Sequence, residues 1–246
     1  MANNQDDNKI SRRRFVKNSS YAAGGLIGGG LLGSFLGVNL NDTKEDTQKP
    51  VKQSPNQAYM YFQRKADFET LGAATERIFP KDDNGPGAIE LGVPYFIDHQ
   101  LAGSYGRNDQ EYMQGPFRTG SDFQGYQTPL KRHEIFMEGI RGLNRESKEK
   151  FDGAFTDLKN DEQDDILSAF DDDKVKLKGV KSSMFFDLLI DATMAGAYAD
   201  PLYGGNIDME GWKMKEYPGH QMSYANEIEN EEFTKIEPQS LSVQHK

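Results

Sequence analysis

Two carboxylates, Asp187 and Asp191, stand four residues apart in an otherwise apolar stretch. On a helix that spacing puts both on one face, where they could meet a metal ion or move a proton on a substrate. The same pair reads equally well as a solvated helix face. The remaining candidate ligands do not converge in the sequence. His99, His133, His220 and His245 are scattered without zinc-type spacing, and Asp171-Asp172-Asp173 lacks the alternation and the glycine of a calcium loop. No Gly-x-Gly-x-x-Gly follows a strand-like run, so there is no dinucleotide fingerprint. The chain has no cysteine, which excludes thiolate-held iron–sulfur clusters, covalently attached haem and disulfides. These residues therefore assign no catalytic group, cofactor or metal to this chain.

The N-terminus carries a sharper signal. Ser11-Arg12-Arg13-Arg14-Phe15-Val16-Lys17 resembles the twin-arginine export motif, with Arg12, Arg13, Phe15 and Lys17 at its recognition positions. An uncharged segment diluted by seven glycines follows, Tyr21 to Leu40. Its basic flank, and the lack of charge between Lys17 and Asp42, have the layout of an export signal. Gly24 to Gly30 then belongs to the signal and is no phosphate loop. Such an uncharged segment is also long enough to span a bilayer core of about 30 Å. Its basic end would lie in the cytoplasm under the positive-inside rule. No Ala-x-Ala stands near its end, while the glycines weaken retention in lipid. Residues 1–40 thus read as a twin-arginine signal peptide or an uncleaved anchor, engaging the twin-arginine translocase. The expected location is the extracytoplasmic face of the membrane or the periplasm. That route carries folded proteins, typically because a cofactor is inserted before export. A chain with no visible cofactor site then implies a partner that holds the cofactor and travels with it.

Beyond residue 40 the chain has 24 Lys and Arg against 37 Asp and Glu, a net charge of −13. That balance excludes a basic nucleic-acid footprint and surface adhesion to anionic lipid. A hydrophobic content of 36% is modest and predicts a limited core that leans on a partner.

Residues 41–57 are polar, contain Pro50 and Pro55, and read as a linker; 17 flexible residues would span roughly 20–25 Å. One domain is expected over 58–236, with a tail at 237–246. Apolar spacing predicts an all-α bundle with long irregular loops. Phe68, Leu71, Thr75 and Ile78 mark one helix, stopped by Pro80. Pro94 opens another bearing Phe96, Ile97 and Leu101, closed by Gly103. Thr128-Pro129 reads as the start of a third with Phe136, Ile140 and Leu143, and Asn160 with Gln163 as the capping box of a fourth with Ile166, Leu167 and Phe170. The clearest helix runs from Ser183 to Ala199, with Phe186, Leu189, Ile190, Thr193 and Ala197 as its stripe.

Asp200 to Gly219 breaks this pattern with four glycines, two prolines and the only tryptophan. A long ordered loop of this kind is a functional surface or a lid. Tyr203, Trp212 and Tyr217 offer rigid contact area, and Tyr203, Gly204, Gly205, Asn206, Trp212, Tyr217, Pro218 and Gly219 are the candidate partner interface.

Four segments resemble the small subunit of gluconate 2-dehydrogenase, the family also called gluconate 2-dehydrogenase subunit 3. They are Phe68 to Pro80, ending Glu76-Arg77-Ile78-Phe79-Pro80; Pro86 to Pro94 with Phe96-Ile97-Asp98; Gly115-Pro116-Phe117; and Asp200-Pro201 with Tyr203-Gly204-Gly205-Asn206, Gly211-Trp212 and Tyr217-Pro218-Gly219. Two positions depart: Glu216 stands where a glycine is common, and Asp191 lies in a neighbourhood that is often more basic. The resemblance implies a non-catalytic accessory subunit of an exported gluconate or sugar dehydrogenase complex. Its FAD would sit in a large flavin-dependent subunit of the glucose–methanol–choline type, often with a cytochrome subunit. The small subunit would supply the export signal and an assembly scaffold. Two readings from other classes remain beside it: a self-contained exported enzyme using acidic residues, and a structural cell-surface protein.

Overall fold

The computed structural model describes residues 57–118, 120, 127–225, 227–232 and 234–242. The export-signal residues Arg12, Arg13, Phe15 and Lys17, the apolar segment after them, nearly all of the linker, and His245 lie outside the described residues. The described residues fall in one unit.

Among the described residues seven α-helices build it: α1 (Lys65–Ile78), α2 (Val93–Ala102), α3 (Ser104–Arg107), α4 (Arg132–Phe151), α5 (Asn160–Asp171), α6 (Ser182–Tyr198) and α7 (Glu210–Met214). Short 3-10 turns occupy Phe155–Asp157, Pro201–Tyr203 and Ile207–Met209. No strand occurs among the described residues, so the all-α expectation holds. None of the described helices is long and apolar enough to cross a membrane.

α6 is the hub, packed against α1, α2, α4, α5 and α7. Between Ser182 and Tyr198 its only charges are Asp187 and Asp191, which lets other helices surround it. The single stripe read from the sequence is therefore too narrow. Phe185 and Ala192 are buried beside Phe186, Leu189, Thr193 and Ala197, while Ile190 is half-buried. The Phe185 ring meets Phe136 and Phe170 edge-on, at centroid distances of 5.8 and 5.6 Å. α4 makes room for it with a glycine. A Cβ on Gly139 would fall 2.2 Å from Phe185, and one on Gly142 would fall 2.6 Å from Leu177 and 3.0 Å from Phe170. Gly139 and Gly142 each weaken the helix by about 1 kcal/mol relative to alanine, and close approach of the ring is the return. Five phenylalanines (136, 155, 170, 185 and 186) are fully buried. Large rings thus close a continuous core despite the modest hydrophobic content.

Two start signals lie elsewhere than expected. Thr128 does not cap α4. Its hydroxyl accepts from the Leu130 N–H and donates to the Gly179 carbonyl, a local turn that competes with helix formation. α4 begins at Arg132, where the Glu134 carboxylate accepts the Lys131 N–H at 2.8 Å. On α5 the flanking residue is Lys159, and Glu162 rather than Gln163 accepts its N–H. Gln163 is buried and donates to the Phe155 carbonyl at 2.7 Å.

A bidentate ion pair joins α1 to α5. Arg77 Nε and Nη2 each reach the Asp164 carboxylate at 2.8 Å, with 8% and 14% of the two side chains exposed. Removing one partner from so buried a pair costs about 3–5 kcal/mol.

Candidate functional site

The C-terminal end of α6 and the N-terminal end of α2 form a seat for residues 199–219. Gly92 enters α2 with φ 74°, and a Cβ there would meet Ile207 at 2.8 Å and the Gly204 carbonyl at 3.0 Å. The Leu91 carbonyl accepts the Ile207 N–H. A Cβ on Gly205 would lie 2.3 Å from the Gly196 carbonyl oxygen, and one on Gly211 would lie 2.0 Å from that of Ala197. Backbone rides directly on backbone here, which only glycine permits.

The buried polar side chains of the segment are spent on its own shape. Asn206, fully buried at φ 48°, donates Nδ2 to the Ala199 carbonyl at 2.8 Å and accepts the Gly211 N–H on Oδ1 at 2.7 Å. Trp212 is only 6% exposed; its Nε1 donates to the Tyr198 carbonyl at 2.8 Å, and its ring meets Tyr217 edge-on at 5.4 Å. Asp200 accepts the Leu202 N–H and the Ser240 hydroxyl on Oδ1, and the Leu241 N–H on Oδ2. The stretch read as wholly non-helical thus contains the one-turn α7 and two 3-10 turns. Asp208, Met209 and Glu216 join Asn206 in the left-handed region, at φ 55°, 60° and 51°. Four such non-glycine residues within eleven positions store strain that the surrounding packing must hold.

Residues 237–242 fall in the stretch that composition reads as a tail, and they are anchored here. The Gln239 N–H donates to the Pro218 carbonyl, and the Gln239 carbonyl accepts the His220 N–H at 2.7 Å. A Cβ on Gly219, at φ 69°, would fall 2.4 Å from that same carbonyl and 2.6 Å from Trp212.

Of the candidate interface residues, Gly204, Gly205, Asn206, Trp212 and Gly219 are therefore buried in the chain's own packing. Pro218 is half-buried, and Tyr203 and Tyr217 remain 51% and 50% exposed.

Two of the other three resembling segments are also scaffolding. Glu76 accepts the Lys81 and Ile89 N–H groups, shaping the loop after α1, and a Cβ on Gly87 would strike its carboxylate. Burial pushes the Glu76 carboxyl above the usual range, against the opposite pull of those two N–H groups. Asp98, fully buried in α2, accepts the N–H groups of Met60, Tyr61 and Phe62 at 2.5, 3.0 and 2.8 Å. It ties the entry of the domain to the bundle. Tyr61 donates its hydroxyl to the His133 carbonyl, and burial pushes the phenol up to about 12. Gly115-Pro116-Phe117 lies between α3 and α4 and is largely exposed.

Asp187 is half-buried and Asp191 exposed on α6. Tyr105 is raised above the usual phenol range, first by burial, with the Asp191 charge contributing, while Arg132 over its ring at 4.5 Å pulls it down. Arg132 also pairs with Glu111 at 2.6 Å. The described histidines serve separate contacts, His99 Nε2 with the Ala58 carbonyl and the backbones of His133 and His220 as given above. Among the described residues, no group of three or more His, Asp or Glu is arranged to hold a metal ion.

Glu76, Arg77 and Asp98 stand in the resembling segments, where residue type alone gives them no role. The available signal was a charged residue inside an apolar helical run, which demands a partner. The left-handed backbone at Asn206, Asp208, Met209 and Glu216 has a signal in residue type only at Asn206 and Asp208.

No curated protein and no solved structure matches this chain. The model of the gluconate 2-dehydrogenase subunit 3 family matches residues 65–219, from the first helix to the glycine that closes the strained segment, and the chain belongs to that family.

Proposed function

We propose that this chain is a non-catalytic accessory subunit of an exported, flavin-dependent gluconate or sugar dehydrogenase complex. The observation that carries it is the family match over residues 65–219, which ends on a segment whose buried polar side chains, Asn206 and Trp212, brace the backbone. A catalytic loop keeps donors and acceptors free to meet substrate; Asn206, Trp212 and Asp200 spend theirs internally. In this reading FAD and the reacting groups reside in a large subunit of the glucose–methanol–choline type, of a kind often joined by a cytochrome subunit. Residues 1–40 give the assembly a twin-arginine signal, and it works at the extracytoplasmic face of the membrane or in the periplasm. Tyr203 and Tyr217, rigid and half-exposed on a strained frame, are the partner contacts of the 200–219 segment.

Export tests the reading. Replacing Arg12 and Arg13 with Lys should leave both this chain and the flavoprotein in the cytoplasm, because a guanidinium pair is not matched by two ammoniums. Fractionation showing normal export of the flavoprotein in that mutant would mean that it travels independently.

A further inference from the structure

We propose that the excursion between Gly219 and Gln239 is a docking surface for a basic, apolar-ridged element of another subunit of the complex. The inference rests on the accessory-subunit reading and adds where, and with what chemistry, the subunits meet.

Both ends of the excursion are fixed. Gly219 bridges Gln239, and the Asp200 carboxylate holds Ser240 and Leu241. Between them, none of the described residues from 221 to 238 is buried. Met222 and Ile228 are 81% and 79% exposed, and Tyr217 and Tyr224 about half. Pro218, Tyr224, Ile228 and Ile236 line an open cleft beneath the turn, rimmed by Glu227, Glu231 and Glu232. Apolar side chains so exposed on a frame pinned at both ends mark an interaction surface.

Charge selects the occupant. From Glu216 to Ser242 the chain carries six glutamates and one basic residue, Lys235, which is already paired with Glu216 at 3.0 Å. A neutral or acidic partner would bury the apolar floor while crowding uncompensated carboxylates. A second copy of this chain would do the same. A partner presenting Lys or Arg around apolar side chains satisfies both the floor and the rim, and is steered in by the field. Of the residues forming this surface, only those up to Gly219 fall within the family match, so the surface belongs to this chain's particular partner rather than to the shared scaffold.

The test is zero-length carboxylate-to-amine crosslinking of the complex purified with its native subunits, read by mass spectrometry. Glu227, Glu231 or Glu232 should join lysines of another subunit, with the Glu216–Lys235 link as internal control. The charge reversal Glu231→Lys with Glu232→Lys should lower recovery of the complex at least ~tenfold without moving the melting temperature of the free chain. If these glutamates link only within this chain or to a second copy, or if the doubly reversed chain assembles normally, the proposal fails. Intersubunit links confined to the Tyr203 side would overturn the proposal and leave the accessory reading standing. Failure of any other subunit to co-purify would overturn both.

Discussion

α6 and the segment that follows it are neighbours in sequence and in space, yet they are held by opposite means. α6 is held by what its side chains add: Phe185, Phe186 and Leu189 fill a core at full burial. Residues 199–219 are held by what their side chains lack. Gly205 and Gly211 let backbone touch backbone, and the polar groups of Asn206 and Trp212 are consumed by carbonyls and an N–H of the same region. One region resists loss of volume and the other resists gain of it.

That contrast can be broken by exchanging the substitutions. Phe185→Ala should destabilise the chain most, by about 3–5 kcal/mol in urea unfolding, because two aromatic neighbours lose their partner. Truncation that costs under ~1 kcal/mol would show that the hub is loosely packed. Gly211→Ala adds one methyl in the other region and should still cost about 1–3 kcal/mol, since the clash is with the Ala197 carbonyl and backbone yields little. A neutral outcome would mean that the segment can lift off α6. Smallest, and opposite in sign, is Glu216→Gly. Glu216 sits at φ 51°, so glycine should raise stability by about 0.5–1 kcal/mol despite losing the exposed pair with Lys235. A loss of stability would place more weight on that ion pair than exposed pairs normally bear.

The same contrast separates what could be read in advance from what could not. Helix α1, with Phe68, Leu71 and Ile78 at helical spacing and Pro80 beyond, was legible because burial on one face repeats with the helical period. α6 was legible as a helix, but its hub position was not: a stripe reports one buried face, and Phe185 is buried by α4 and α5 together. Gly139 and Gly142 were silent, since a glycine inside a helix has no mark distinguishing close packing from tolerance. The cap of α4 was misplaced by three residues and that of α5 by one, because Thr128 and Gln163 found better partners in Gly179 and Phe155, contacts set by tertiary structure. In residues 199–219 composition announced irregular backbone. It could not announce that Trp212 turns inward, because a tryptophan among glycines reads alike as anchor or lid. The departure at Glu216, noticed as a missing glycine, gained its physical meaning only from the left-handed backbone at that position.

The central claim is that this chain supports a reaction without performing it. Its most direct test is the purified chain from residue 41 to 246, scanned for flavin absorbance and assayed for dye-linked oxidation of gluconate and glucose. The account predicts no bound flavin and no turnover until the flavoprotein subunit is added. Turnover by this chain alone, free of any other flavoprotein, would contradict it.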